Sequence, residues 1–145
     1  MKNGVVNFVV FGSAKPKGNK SAFPIRRRDG RMGVAVREGK PGSPFEEWRR
    51  RVESVVQEVA SRTERLEGPV VAKMEFLLPR PASAPKSRIW PDVRPDVGKL
   101  ARAVEDAMTG ALYRDDSQIV ELNVRKLYAE NAPRVEVWLM PAEGS

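Results

Sequence analysis

Apolar residues along the chain fall into two groups with helical spacing, joined by four runs with the composition of strands. Val5 to Phe11, "VVNFVVF", is dense in β-branched and aromatic residues and predicts a strand. Phe45, Trp48, Val52, Val55, Val56 and Val59 recur every three or four positions, which predicts a helix. Ser43-Pro44 is a suitable start for it, and Glu46 and Glu47 suit the positive end of its dipole. Arg49, Arg50 and Arg51 are consecutive, so they must fan around that helix. Val70 to Pro79 predicts a second strand that Pro79 ends. Leu100, Val104, Ala107 and Met108 mark the stripe of a second helix, with Gly110 as its stop. "QIVELNVRKLY" and "PRVEVWLM" predict two further strands, with a turn at Asn131-Ala132-Pro133. Val120, Leu122 and Val124 share one face of the first of these.

Two stretches lack periodicity. Residues 12–44 carry glycines, prolines and many bases and predict a long loop, with a short hairpin turning at Asp29-Gly30. A loop of that length in a small domain is usually functional. "RPASAPKSRIWPDVRP" is proline-rich and irregular. The predicted order is β, long loop, α, β, loop, α, β, β. This is an α/β or α+β fold, a small mixed sheet flanked by two helices, with residues 1–145 as a single domain and the basic loop at about 12–44.

Charge and composition narrow the chemistry. The net charge of +7 suits a polyanionic partner, most often nucleic acid. The chain has no cysteine, which excludes disulfides and thiolate zinc sites. It has no histidine, which removes the usual general base and the usual transition-metal ligand. Any metal would be a hard ion held by oxygens, Mg²⁺ or Mn²⁺ first. The N-terminal apolar run is too short for a signal peptide, and no run approaches a membrane span. The expected location is the cytoplasm, with no membrane partner.

Against this basic background, Asp96 stands just before the second helix and Asp115-Asp116 just after it. Converging carboxylates could bind Mg²⁺ and serve phosphodiester hydrolysis. Two plainer readings stand beside that one. Asp96 suits a helix N-cap, and Asp115-Asp116 suits a solvated turn.

The stretch "RPDVGKLARAVEDAMTGALYRDDSQIV" resembles the RusA family of Holliday-junction resolvases, common in phages and prophages. The likeness also takes in "GSAKPKGNK" after the first strand and "FEEWRRRV" at the first helix. It implies a homodimeric, Mg²⁺-dependent endonuclease, with Mn²⁺ as a substitute, that nicks four-way DNA junctions on two opposed strands. The family's acidic residues match Asp96, Asp115 and Asp116, implied to be catalytic and metal-binding. Its basic helix residue, usually lysine, matches Arg102, a change that keeps charge but alters hydrogen-bond geometry. Asp106 is often acidic in the family; four residues after Arg102, it is expected to pair with it. Metal binding by Glu105 is the less favoured role for that residue.

One position departs from the family pattern. The family reads Asp-x-Asp at the helix entrance, whereas this chain reads Asp96-Val97-Gly98. A lost carboxylate should weaken metal binding. Either the protein is a junction binder with little cleavage, or another carboxylate substitutes, with Asp92 the nearby candidate.

Between Gly12 and Arg51 there are twelve Lys or Arg residues against four Asp or Glu. Lys15, Lys17, Lys20, Arg26, Arg27, Arg28 and Arg31 are the expected DNA contacts. Trp90 suits stacking on an unpaired base or packing in a core or dimer interface. "GSAKPKGNKS" fails as a phosphate-binding P-loop. Five residues separate its glycines, Asn19 precedes Lys20, and Pro16 lacks a backbone donor. The competing functional classes are a non-catalytic junction- or general nucleic-acid-binding protein, and a basic interaction domain with no nucleic-acid role.

Overall fold

The computed structural model describes residues 4–17, 21–37 and 42–143. Alternation builds the main sheet. Val6, Phe8 and Val10 of strand β1 (Val6–Phe11) point inward, as do alternate residues from Val70 to Leu78 of β4 (Val70–Leu78). Strand β5 (Ile119–Tyr128) lies parallel to β4, and β6 (Arg134–Pro141) lies antiparallel to both β4 and β1, giving the order β1-β6-β4-β5. The turn at residues 129–133 is therefore not a hairpin turn. It carries the chain across the end of β4, where the Ala129 amide donates to the Leu78 carbonyl at 2.8 Å.

Helix α1 (Pro44–Ala60) begins as its sequence predicts. The Ser43 hydroxyl accepts from the Glu46 amide at 3.2 Å, and Pro44 takes the first turn. Trp48, Val52, Val56 and Val59 are buried. The three consecutive arginines fan outward, and each meets a glutamate earlier on the helix: Arg49 and Arg50 meet Glu46, and Arg51 meets Glu47. Helix α2 (Val97–Met108) buries Leu100, Ala101, Ala103, Val104 and Met108. The apolar stripes of both helices join one core with the inward residues of β1, β4 and β6. Removing a fully buried side chain such as Leu100 would cost about 2–5 kcal/mol. Neither helix is long and apolar enough to cross a membrane.

The basic stretch is more structured than a loop. Ser21–Arg26 (β2) and Met32–Arg37 (β3) pair antiparallel as a separate two-stranded sheet. Its turn sits on Asp29 and Gly30: Gly30 has φ +82°, and the Arg31 amide donates to Asp29 Oδ1 at 2.9 Å. The aliphatic face of β5 is also as the spacing predicts, because Leu122 and Val124 lie beside the inward Ala72 and Met74. At this edge strand the cover thins, leaving Val120 63% and Leu122 43% exposed while Val124 packs on the core.

Candidate active site

The chain leaves β4, passes through α2 and returns as β5 beside β4, so the two acidic points fall at either end of one helical crossover. Asp96 occupies the N-cap position of α2 with extended backbone, but its side chain makes no capping hydrogen bond. The carboxylate is 66% exposed, with the Lys99 ammonium 4.0 Å away. Capping therefore does not consume it.

Two residues on, Gly98 leaves open space: a β-carbon built there would meet no atom of the described residues within 4 Å. Gly98 precedes Arg102 by four residues, so the two share a helix face. The Arg102 guanidinium gathers three carboxylates. Nε lies 3.4 Å from Asp106, and Nη1 lies 3.9 Å from Glu105 and 3.8 Å from Asp116. The i to i+4 pair with Asp106 is the one its spacing predicts. The contact with Asp116 ties α2 to the acidic turn.

Asp115 and Asp116 do different work. Asp115 Oδ1 accepts from the Ser117 amide at 3.1 Å, capping a 3₁₀ turn over Asp116–Gln118. That bond, with the neighbouring Asp116, holds the Asp115 carboxyl below its usual range. Asp116 instead turns toward Arg102 and is 43% exposed. The solvated-turn reading thus describes Asp115 better than Asp116.

Gln118 fixes this turn from both sides of its amide. Its Oε1 accepts from the amides of Arg114 (2.7 Å) and Asp115 (3.0 Å). Its Nε2 donates to the carbonyls of Leu66 (3.1 Å) and Gly68 (2.9 Å), in the connection between α1 and β4. The Asp115-x-x-Gln118 spacing is a capping-box signature that reveals half of this role in the sequence. The other half, some fifty residues away, has no local signal.

Beneath the site, Glu105 is largely covered. Burial raises its carboxyl above the usual range; Arg102 opposes the shift, and Asp106 and Asp116 add to it. Burial also pushes the Tyr113 hydroxyl up to about 12. Asp92 stands apart from the set that Arg102 gathers, with its carboxylate 3.7 Å from Arg88 and its side chain 80% exposed. Among the described residues, no three carboxylates are grouped so as to hold one metal ion. The Asp96 and Asp116 carboxylates stay 66% and 43% exposed, and carboxylate oxygens are the donors that hard divalent ions take.

The basic residues divide. Lys17 is drawn onto α2, its amide bonded to the Lys99 carbonyl (3.3 Å) and its ammonium donating to Asp106 (2.8 Å). Arg26, Arg27, Arg28 and Arg31 are exposed at the end of the β2–β3 hairpin. Lys15 lines clefts beside Trp48 and beside the proline-rich loop. Lys20 lies outside the described residues. Trp90 is 55% exposed, so it is not a core residue.

Residues 25–140 match the family model described as endodeoxyribonuclease RusA. The chain is also similar to "Uncharacterized protein YqaN" of Bacillus subtilis (strain 168), 38% identical over 82 residues. That match covers 50% of this chain and spans 57% of the relative's length. With the family model matched over most of its length, from the β2–β3 hairpin through the acidic turn to β6, the chain belongs to the RusA endodeoxyribonuclease family.

Proposed function

We propose that the protein is a structure-specific endonuclease that nicks four-way DNA junctions with a divalent metal, Mg²⁺ or in its place Mn²⁺, and that Gly98 weakens its activity. The observation that carries this reading is the span of Arg102: its helix holds Asp96, with its carboxylate outside the cap, at the entrance, and its guanidinium reaches Asp116. Asp96 and Asp116 would hold the ion, with Asp115 shaping the turn between them and α2. A bound divalent ion would supply charge neutralisation at the scissile phosphate and a more acidic water. Arg102, beside Asp116, would meet the phosphate's negative charge. The hairpin arginines and Lys15 would bind the flanking backbone whatever its sequence, with Lys17 and Lys20 in the same basic segment.

Paired incisions on opposed strands call for two active sites, which a homodimer supplies. The outer edge of β5, with Val120 and Leu122 uncovered beside it, is a surface that suits a second copy. Acting on DNA, the protein would work in the cytoplasm.

The test is nicking of a synthetic four-way junction in Mg²⁺ and in Mn²⁺, beside Gly98→Asp. Slow, metal-dependent nicking that rises in the variant is expected. Replacing glycine in the first turn of α2 with an acidic residue should also stabilise the fold by about 0.5 kcal/mol. Junction cleavage that is equally fast in both proteins would refute the weakened-site reading. The vacancy at Gly98 favours a second reading, a junction-binding protein that does not cut. Tight junction binding with no nicking by the unmodified protein in either metal would establish it, and nicking gained in Gly98→Asp would assign the loss to the missing carboxylate.

A further inference from the structure

Next to Asp96 lies a cleft of about 280 Å³ to which neither proposed metal ligand contributes. Its walls are mainly flat and apolar: Leu78, Pro79, Pro91, Val93, Pro95 and the Tyr128 ring. Pro95 directly precedes Asp96, so one wall continues into the acidic entrance of α2. Lys15 and Arg94 also line the cleft and give it a cationic rim.

The cleft is held open by side chains outside it. Lys126 Nζ donates to the carbonyls of Val93 (2.6 Å) and Pro95 (2.9 Å). Arg80 covers the Tyr128 ring at 4.8 Å and donates to the carbonyls of Arg88 (2.7 Å) and Pro85 (2.6 Å). The proline-rich stretch is thus an arch pinned at four carbonyls. Among the described residues the buried Tyr128 hydroxyl has no hydrogen-bond partner, a cost that a polar group reaching it would relieve.

We propose that this cleft receives an unstacked nucleobase of the junction strand whose phosphate lies at Asp96. This deepens, and rests on, the junction-nuclease reading. Proline and tyrosine surfaces suit the apolar faces of a base, while Lys15 and Arg94 suit the phosphates on either side of it. A four-way junction opened by binding loses stacking at its centre, so it offers such a base at less cost than a continuous duplex. The carbonyls of Val93 and Pro95 are already occupied by Lys126, so stacking dominates and the preference among bases is weak.

The experiment places 2-aminopurine at each position flanking the cut in a synthetic junction and follows its fluorescence on binding in Ca²⁺. One position should brighten. Val93→Met, and separately Pro81→Leu, fill the cleft from residues that line it and are partly or fully exposed. Both should abolish the brightening and weaken junction binding about tenfold, the loss of one stacked base. Undiminished brightening in both filled variants would overturn the proposal, as would a junction that binds tightly with no position brightening. Failure of the unmodified protein to bind the junction at all would instead remove the functional reading, and this proposal with it.

Discussion

Gln118 is the least conspicuous residue of the site and the one whose loss should matter most beyond the carboxylates. Gln118→Met keeps the side chain's length and removes all four of its hydrogen bonds. Arg114, Asp115 and Gly68 are exposed, so water can replace the amide at three of the four partners. The Leu66 carbonyl belongs to a residue only 4% exposed, and its bond is the costly one to lose. One partly buried acceptor left unpaired, with three bonds traded for water, should destabilise the fold by about 2 kcal/mol. Gln118→Glu separates the two halves. Its carboxylate still accepts from the Arg114 and Asp115 amides, but it faces the Leu66 and Gly68 carbonyls without a proton and adds charge beside Asp115 and Asp116. Urea unfolding of both variants measures the stability, and Mg²⁺ titration of nicking measures the placement of Asp116. Both variants should require more Mg²⁺ at temperatures where they remain folded. A stability change under about 0.3 kcal/mol in Gln118→Met, with an unaltered Mg²⁺ midpoint, would refute the reasoning.

The other predictions concern charge. Asp115→Asn keeps an oxygen acceptor for the Ser117 amide and should retain most nicking, whereas Asp116→Asn should abolish it; equal losses would erase the division of labour between the pair. Glu105 titrates above its ordinary 4.5 in the folded protein, so its charge opposes folding above the folded pKa, and that penalty fades as pH falls toward 4.5. Glu105→Gln should therefore raise the urea midpoint at neutral pH and lose that advantage on acidification; a constant difference across pH would point to packing instead. Changing Arg26, Arg27, Arg28 and Arg31 together to alanine should reduce the salt slope of junction binding by about 1 to 3, and an unchanged slope would remove the hairpin from the DNA interface.

What the sequence discloses and what it hides follow a physical divide. Strand alternation and helical stripes are local, so β4, α1 and α2 could be read from residues such as Val70, Trp48 and Leu100. The hairpin was harder, because its strands contain Pro24 and Gly33 and its basic residues resemble a solvated loop. The acidic pair is a sharper case. Asp115 and Asp116 are indistinguishable as letters, and only the 3₁₀ turn sends one into a cap and the other toward Arg102. Asp96 shows the reverse: its position invites capping, yet the carboxylate stays out of the cap. Lys17 is expected to contact phosphate; its ammonium also donates to Asp106, 89 positions away and so beyond any local pattern.

Helix α2 also sets a phase. Each residue turns the helix by about 100° and advances it about 1.5 Å, so inserting one residue between Gly98 and Arg102 would swing the guanidinium away from the acidic turn rather than merely lengthen its reach. Surface connections elsewhere can grow or shrink without that consequence. The gap between the two acidic ends tolerates whole turns more readily than single residues, much as a gear accepts only complete teeth.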